Sequence, residues 1–247
     1  TLAAGAAAIS LMGQASAKIP APEPEDDPGA VHSYILLDRT GSMSSIWDEA
    51  LTSVNAYAAS VGEADEGEIE GDDIKTDVTL AIFDYQDGMQ FDVLRDKVTA
   101  ENWTNVTNDE ANPRGMTPLF DAIGRIVSRA EADNPEKAVI VIMTDGLENS
   151  SRELTRDGAK AALDRAEAKG WEVVFLGAEF ARFDDAEAVG VSASKTMAVG
   201  QGSMRESMSA LAKKSRAYGK GEEAEIIFDE EDRAIADEEG VKQRKGQ

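Results

Sequence analysis

KAVIVIMTDG, residues 137–146, is the stretch on which the fold turns: an unbroken apolar run from Ala138 to Met143 is closed by Thr144, Asp145 and Gly146. An apolar run of this length, rich in β-branched residues and ended by turn formers, reads as a strand buried on both faces, and such strands belong to parallel sheets covered by helices on either side. Outward from it, the same pattern repeats. Upstream, a helix beginning at Pro118 carries Leu119, Ala122, Ile123, Ile126, Val127 and Ala130 inward, with Thr117 placed to cap it. Downstream come a helix through AKAALDRAEAKG (159–170), a second buried strand WEVVFLGA (171–178), a short helical FDDAEAVG (183–190), a strand SASKTMAV (192–199) and a helix SMRESMSALAKKSRAYG (203–219).

Further upstream, VHSYILLD (31–38) reads as the first strand. A helix follows from about Ser45, where Ile46, Ala50, Leu51, Val54, Tyr57, Ala58 and Val61 recur at helical spacing. GEADEGEIEGDDIKTD (62–77) reads as a solvated loop. DVTLAIFDY and MQFDVLRDKV then flank Gln86-Asp87-Gly88 as a hairpin, which places one antiparallel strand at an edge. Strands alternating with helices predict an α/β domain, doubly wound around a mostly parallel sheet. That domain spans residues 31–220. Residues 1–30 form an Ala-rich segment followed by a Pro- and acid-rich tether, and 221–247 read as a charged C-terminal tail.

Composition narrows the function. With 25 Lys plus Arg against 48 Asp plus Glu, the formal net charge is -23. Such a surface repels phosphate backbones and anionic lipid, which excludes nucleic acid as a partner. There is no cysteine, hence no disulfide framework, thiol nucleophile or thiolate metal site, and a single histidine, His32, leaves little for histidine-based catalysis. The opening TLAAGAAAISLMGQASA is too short to span a bilayer and ends in Ala15-Ser16-Ala17, as a signal-peptide cleavage site does. It lacks an initiator Met and a basic leader. Read as a truncated signal peptide it gives an exported or periplasmic protein; read as an Ala-rich tail it gives a cytoplasmic one.

Three polar groups stand where predicted strands run out: Asp38-Arg39-Thr40-Gly41-Ser42, Gly115-Met116-Thr117 and Thr144-Asp145-Gly146. Taken singly, each has a structural reading, as a turn acid, a helix cap and a turn. Ligands of open parallel sheets bind beyond the carboxyl ends of the strands, so loops in these places converge on one site. Hydroxyl and carboxylate oxygens suit a hard cation.

The order of these residues resembles the metal-ion-dependent adhesion site of von Willebrand factor A (VWA) domains: Asp38, Thr40 and Ser42 match DxSxS with a threonine for its first serine, then Thr117, then Asp145. DRTGSMSSIWDEAL, RGMTPLFDAIGR, VIVIMTDGLENSSREL and GWEVVFLGA are similar to a bacterial group of stand-alone A domains, over roughly Val31 to Tyr218. The resemblance implies a Rossmann-like, six-stranded, mostly parallel sheet flanked by helices. It also implies an Mg²⁺, with Mn²⁺ or Ca²⁺ as alternatives, that Thr40 and Ser42 bind directly and Thr117 directly or through water. Asp38 and Asp145 would act mainly through water and by orienting the hydroxyls. The implied activity is binding, not catalysis: an open coordination position accepts an Asp or Glu carboxylate of a protein partner. Two alternatives stand beside it. In one, a metal-assisted hydrolase uses Asp84 or Glu148 as base; in the other, the metal only ties the loops together.

Overall fold

The computed structural model describes residues 30–63, 75–178 and 184–245. The N-terminal segment and most of the acidic loop lie outside the described residues. Six strands form one sheet in the order β3-β2-β1-β4-β5-β6: β1 (Val31–Asp38), β2 (Thr76–Tyr85), β3 (Met89–Thr99), β4 (Lys137–Thr144), β5 (Glu172–Ala178) and β6 (Thr196–Val199). β1 pairs in parallel with both β2 and β4, β4 with β5, and β5 with β6. Only β3 runs antiparallel, at one edge, through the expected hairpin. Asp87 and Gly88 take positive φ there, 58° and 131°, as a tight hairpin turn demands.

Every residue of β4 after Lys137 is buried, which is why its sequence shows no alternation. Its side chains still alternate in space. Val139, Val141 and Met143 join Ile35 and Leu37 on one face, under α1 (Trp47–Ser60) and α5 (Met204–Lys220). Ile140 and Ile142 join Tyr34 and Leu36 on the other, under α2 (Leu119–Asp133) and α3 (Arg156–Ala168). The first helix starts later than its apolar spacing suggested, because Gly41–Ser45 forms a 3₁₀ turn that leads into it. Beyond β5, α4 (Asp184–Ala188) and a 3₁₀ turn at Ala193–Lys195 precede β6. No described helix is long and apolar enough to cross a membrane.

The C-terminal stretch differs from the tail read in the sequence. It forms α6 (Glu230–Ile235) and α7 (Glu238–Lys245), and it delivers Ile226, Phe228, Ala236 and Val241 to the core. Burying those few apolar residues outweighs the charge around them. Its polar groups also cover the β6 edge: the Gly200 N–H donates to Ala236 O at 2.8 Å, and the Ala198 N–H to Glu238 Oε1 at 3.1 Å. Arg233 and Lys242 in turn hold Glu238, each at 2.9 Å. An otherwise open edge is thereby closed.

Candidate metal centre

The strand order reverses direction at β1. The chain steps from β1 outward to β2 and β3, then returns to β4 on β1's other side. The loops leaving β1 and β4 therefore diverge around a crevice at the carboxyl ends of the strands, the position where this architecture holds ligands. Asp38 ends β1 and Asp145 follows β4.

All five residues singled out in the sequence meet there. Asp38 is fully buried; its Oδ1 accepts the Thr40 N–H at 2.7 Å and its Oδ2 the Thr144 hydroxyl at 2.5 Å. A line of hydroxyls runs outward from it. Thr117 Oγ1 lies 3.3 Å from Thr40 Oγ1, which lies 3.1 Å from Ser42 Oγ. Ser42 Oγ donates to Asp145 Oδ1 at 2.6 Å. Thr40 and Thr117 are buried while Ser42 is exposed, so the set opens to solvent at one end. Burial pushes the Asp38 carboxyl up to about 7, against the hydrogen bonds from Thr144 and Thr40, and Asp145 adds to the rise. Among the described residues no three Asp, Glu or His side chains gather as a metal cluster; the donors here are two carboxylates and three hydroxyls.

Thr117 does not cap α2 as its position suggested. Its side chain faces the hydroxyl line, and the first turn of α2 is satisfied from the β4–α3 loop instead. Glu148 Oε2 accepts the Phe120 N–H at 3.0 Å, and Ser151 Oγ accepts the Asp121 N–H at 3.1 Å. Asp121, itself buried, accepts the N–H groups of Arg152, Glu153 and Leu154. Asn149 exchanges two bonds with the Thr117 backbone, through its own N–H and its Oδ1. In the sequence Thr144 shows only as a member of the polar group after β4 and Asn149 carries no site signal, because a bond to a residue distant in the chain leaves no local pattern.

Next to these loops runs an ion network centred on the buried pair Arg39 and Asp84 and reaching the surface at Asp92 and Arg114. Arg39, 5% exposed, donates through Nε to Asp84 Oδ1 at 2.6 Å and through an η nitrogen to Asp92 at 2.7 Å. The other Asp84 oxygen accepts Arg114 Nε at 3.1 Å. The Arg114 N–H donates to Arg39 O, and the Gly41 N–H to Gly115 O. These bonds fasten the Asp38–Ser42 loop to the one that carries Thr117. Gly115 has φ 70°, and a Cβ there would fall 2.5 Å from Tyr85 O, so only glycine fits.

No protein-family model and no curated protein sequence matches the chain. Solved structures do. The chain is similar to the vWF domain of the type V pili tip protein Mfa5 from Porphyromonas gingivalis, with a TM-score of 0.52 and 12% identity over 74% of this chain and 94% of that one. It is similar to the PilB minor pilin from Streptococcus sanguinis, with a TM-score of 0.54 and 12% identity over 78% of this chain and 63% of that one. Proximal thread matrix protein 1 from the mussel byssus matches with a TM-score of 0.51 and 13% identity over 76% of this chain. The match spans 46% of the length of that mussel protein. Together with the strand order and the antiparallel edge strand, these matches define the fold as that of a VWA domain.

Proposed function

We propose that this domain is a divalent-cation-dependent protein-binding module, with Asp38, Thr40, Ser42, Thr117 and Asp145 as its metal site. The observation that carries the reading is the convergence of three hydroxyls and two carboxylates from three separate loops at the switch point of the sheet. The donor set fits the ion. Hard oxygens match Mg²⁺ or Mn²⁺, and two carboxylates balance a divalent charge. A cation between Asp38 and Asp145 would favour the ionised form of Asp38 that burial disfavours. The space is also kept small: a Cβ on Gly146 would stand 3.3 Å from Thr117 Oγ1 and 3.5 Å from Ser42 Oγ.

Thr40, Ser42 and Thr117 would hold the ion, and Asp38 and Asp145 would orient them and bind its water. When bound, the ion would supply Lewis acidity able to accept one carboxylate of a protein partner. Binding is favoured over hydrolysis because both carboxylates considered as bases are otherwise engaged. Each Asp84 oxygen faces an arginine. Glu148 Oε1 accepts the Ser150 and Ser151 N–H groups, while Oε2 accepts the Phe120 N–H and the Ser151 hydroxyl. The pilus and byssus settings of the similar structures accord with an exported protein.

The test is isothermal titration of the whole chain with Mn²⁺ and with Mg²⁺, on the wild type and on Asp145→Ala. One-site binding by the wild type that the variant loses supports the reading. Equal binding by both contradicts it.

A further inference from the structure

We propose that Met116, Leu147, Arg114 and Arg152 form a rim that reads the residues beside the metal-bound carboxylate, so that the partner is an exposed protein segment in which an Asp or Glu stands next to a bulky aliphatic residue and near a second acid. This rests on the metal-site reading above.

Among the described residues, five large apolar side chains are notably exposed: Val93, Met116, Leu147, Ile227 and Ile235. Two of the five sit on the site loops. Met116 directly precedes Thr117 and Leu147 follows Gly146, and each is 48% exposed. A single exposed apolar residue is unremarkable on any surface. Two stand within two positions of a proposed metal ligand, Met116 on the loop that carries Thr117 and Leu147 on the loop that carries Asp145.

Both loops are braced. Met116 exchanges two hydrogen bonds with Tyr85, at 2.9 and 3.1 Å, and Asn149, two residues after Leu147, pairs with Thr117. Loops held this firmly lose little freedom when a partner docks.

Charge completes the pattern. In a chain with a net charge of -23, two exposed arginines lie on the same two loops. Arg114 anchors its Nε on Asp84 and remains 44% exposed. Arg152, also exposed, lies 5.0 Å over the ring of Tyr85, the residue paired with Met116. The acid nearest Leu147 in sequence, Glu148, has both oxygens engaged, Oε2 by the Phe120 N–H of α2 and Oε1 by the Ser151 N–H of its own loop. Repulsion of an acidic segment is largely screened beyond about 8 Å at physiological salt. At contact range, guanidinium groups attract a second carboxylate, and Met116 and Leu147 offer the aliphatic residue a surface to cover.

The experiment is selection from a displayed library of short random peptides with a fixed central Asp or Glu, against the intact chain in Mn²⁺. Recovered peptides are expected to carry Leu, Ile or Met beside the fixed acid and a second acid within a few positions, and to be released by EDTA. Met116→Ser combined with Leu147→Ser should remove the aliphatic preference and weaken those peptides about tenfold. Arg152→Gln should remove the preference for the second acid. Ile227→Ser is the control: its neighbours Ile226 and Phe228 bond to Glu172 and Ser194, at the amino-terminal ends of β5 and β6 and so away from the site loops, and it should keep both preferences. All these side chains are exposed, and melting temperatures verify that each variant folds.

Chelator-sensitive peptides with no preference beside the acid overturn the rim and leave the metal site standing. So does a preference that survives in the Met116 and Leu147 double variant, or Mn²⁺ binding with no peptide recovered. Recovery that persists in EDTA overturns the metal-site reading itself.

Discussion

Ser42 Oγ and Asp145 Oδ1 meet at 2.6 Å although 103 positions separate them in the chain. The bond joins the loop after β1 to the loop after β4, and it exists because those strands are neighbours in the sheet while the chain between them travels out to β3 and back. The contact is therefore a product of topology, and the residues around it respond to substitution in ways that separate site from scaffold.

Gly146→Ala should damage the site with little harm to the fold. The glycine does not take positive φ, so alanine is tolerated by the backbone, but its Cβ would press on Thr117 Oγ1 and Ser42 Oγ at 3.3 and 3.5 Å. Mn²⁺ affinity is expected to fall about tenfold or more, with the metal-free melting temperature close to wild type. Titration calorimetry and thermal unfolding on one preparation check both.

Asp84→Asn should be costly for the fold. It leaves two guanidinium groups, one of them on the buried Arg39, facing a neutral amide. Breaking one side of a buried ion pair costs about 3–5 kcal/mol, which urea denaturation would resolve. Because Arg39 and Arg114 tie the two site loops together, metal affinity should fall in the same variant.

Glu238 gives the domain a defined sensitivity to acid. Burial alone would raise its carboxyl, but hydrogen bonds from Lys242, Arg233 and the Ala198 N–H outweigh burial and hold it below the ordinary glutamate value. A carboxyl depressed in the folded state stabilises it above the unfolded value, about 4.3, and loses that contribution as pH falls through the folded one. Glu238→Gln should thus be less stable than wild type at pH 7. The gap should close as both are unfolded at progressively lower pH below about 4. A gap that stays constant down the series would assign Glu238 a role independent of its charge.

Truncation after Gly221 should destabilise the domain, although the removed residues are mostly charged. It deletes Ile226, Phe228, Ala236 and Val241 from the core and strips the cover from β6. At about 1.5–3 kcal/mol for each large side chain buried, a loss of about 5 kcal/mol is expected, seen as a lower urea midpoint and a tendency to associate through the bared edge.

Much of this was legible in the residues. The unbroken apolar run of β4 and the hairpin around Asp87-Gly88 fixed the sheet type, and hydroxyls and acids at strand ends marked the loops that meet at the switch point. What escaped has physical causes. The segment after Gly221 buries only scattered apolar residues among many charges, so no period appears. Thr117 precedes a helix as a cap would, yet Glu148 and Ser151 take that role across 28 and 30 positions, a distance no local pattern reveals. The Arg39–Asp84–Arg114 network likewise depends on which strands are neighbours, which Asp84 read alone does not reveal.

The most direct measurement is thermal unfolding of wild type and Asp145→Ala with excess Mn²⁺ or Mg²⁺ and with chelator. Ion at a hundred times its dissociation constant adds about 2.7 kcal/mol to the folded state, so the wild-type midpoint should rise by several degrees and the variant's should not move. No ion-dependent rise in the wild type, or an equal rise in both proteins, would contradict a metal held between Asp38 and Asp145.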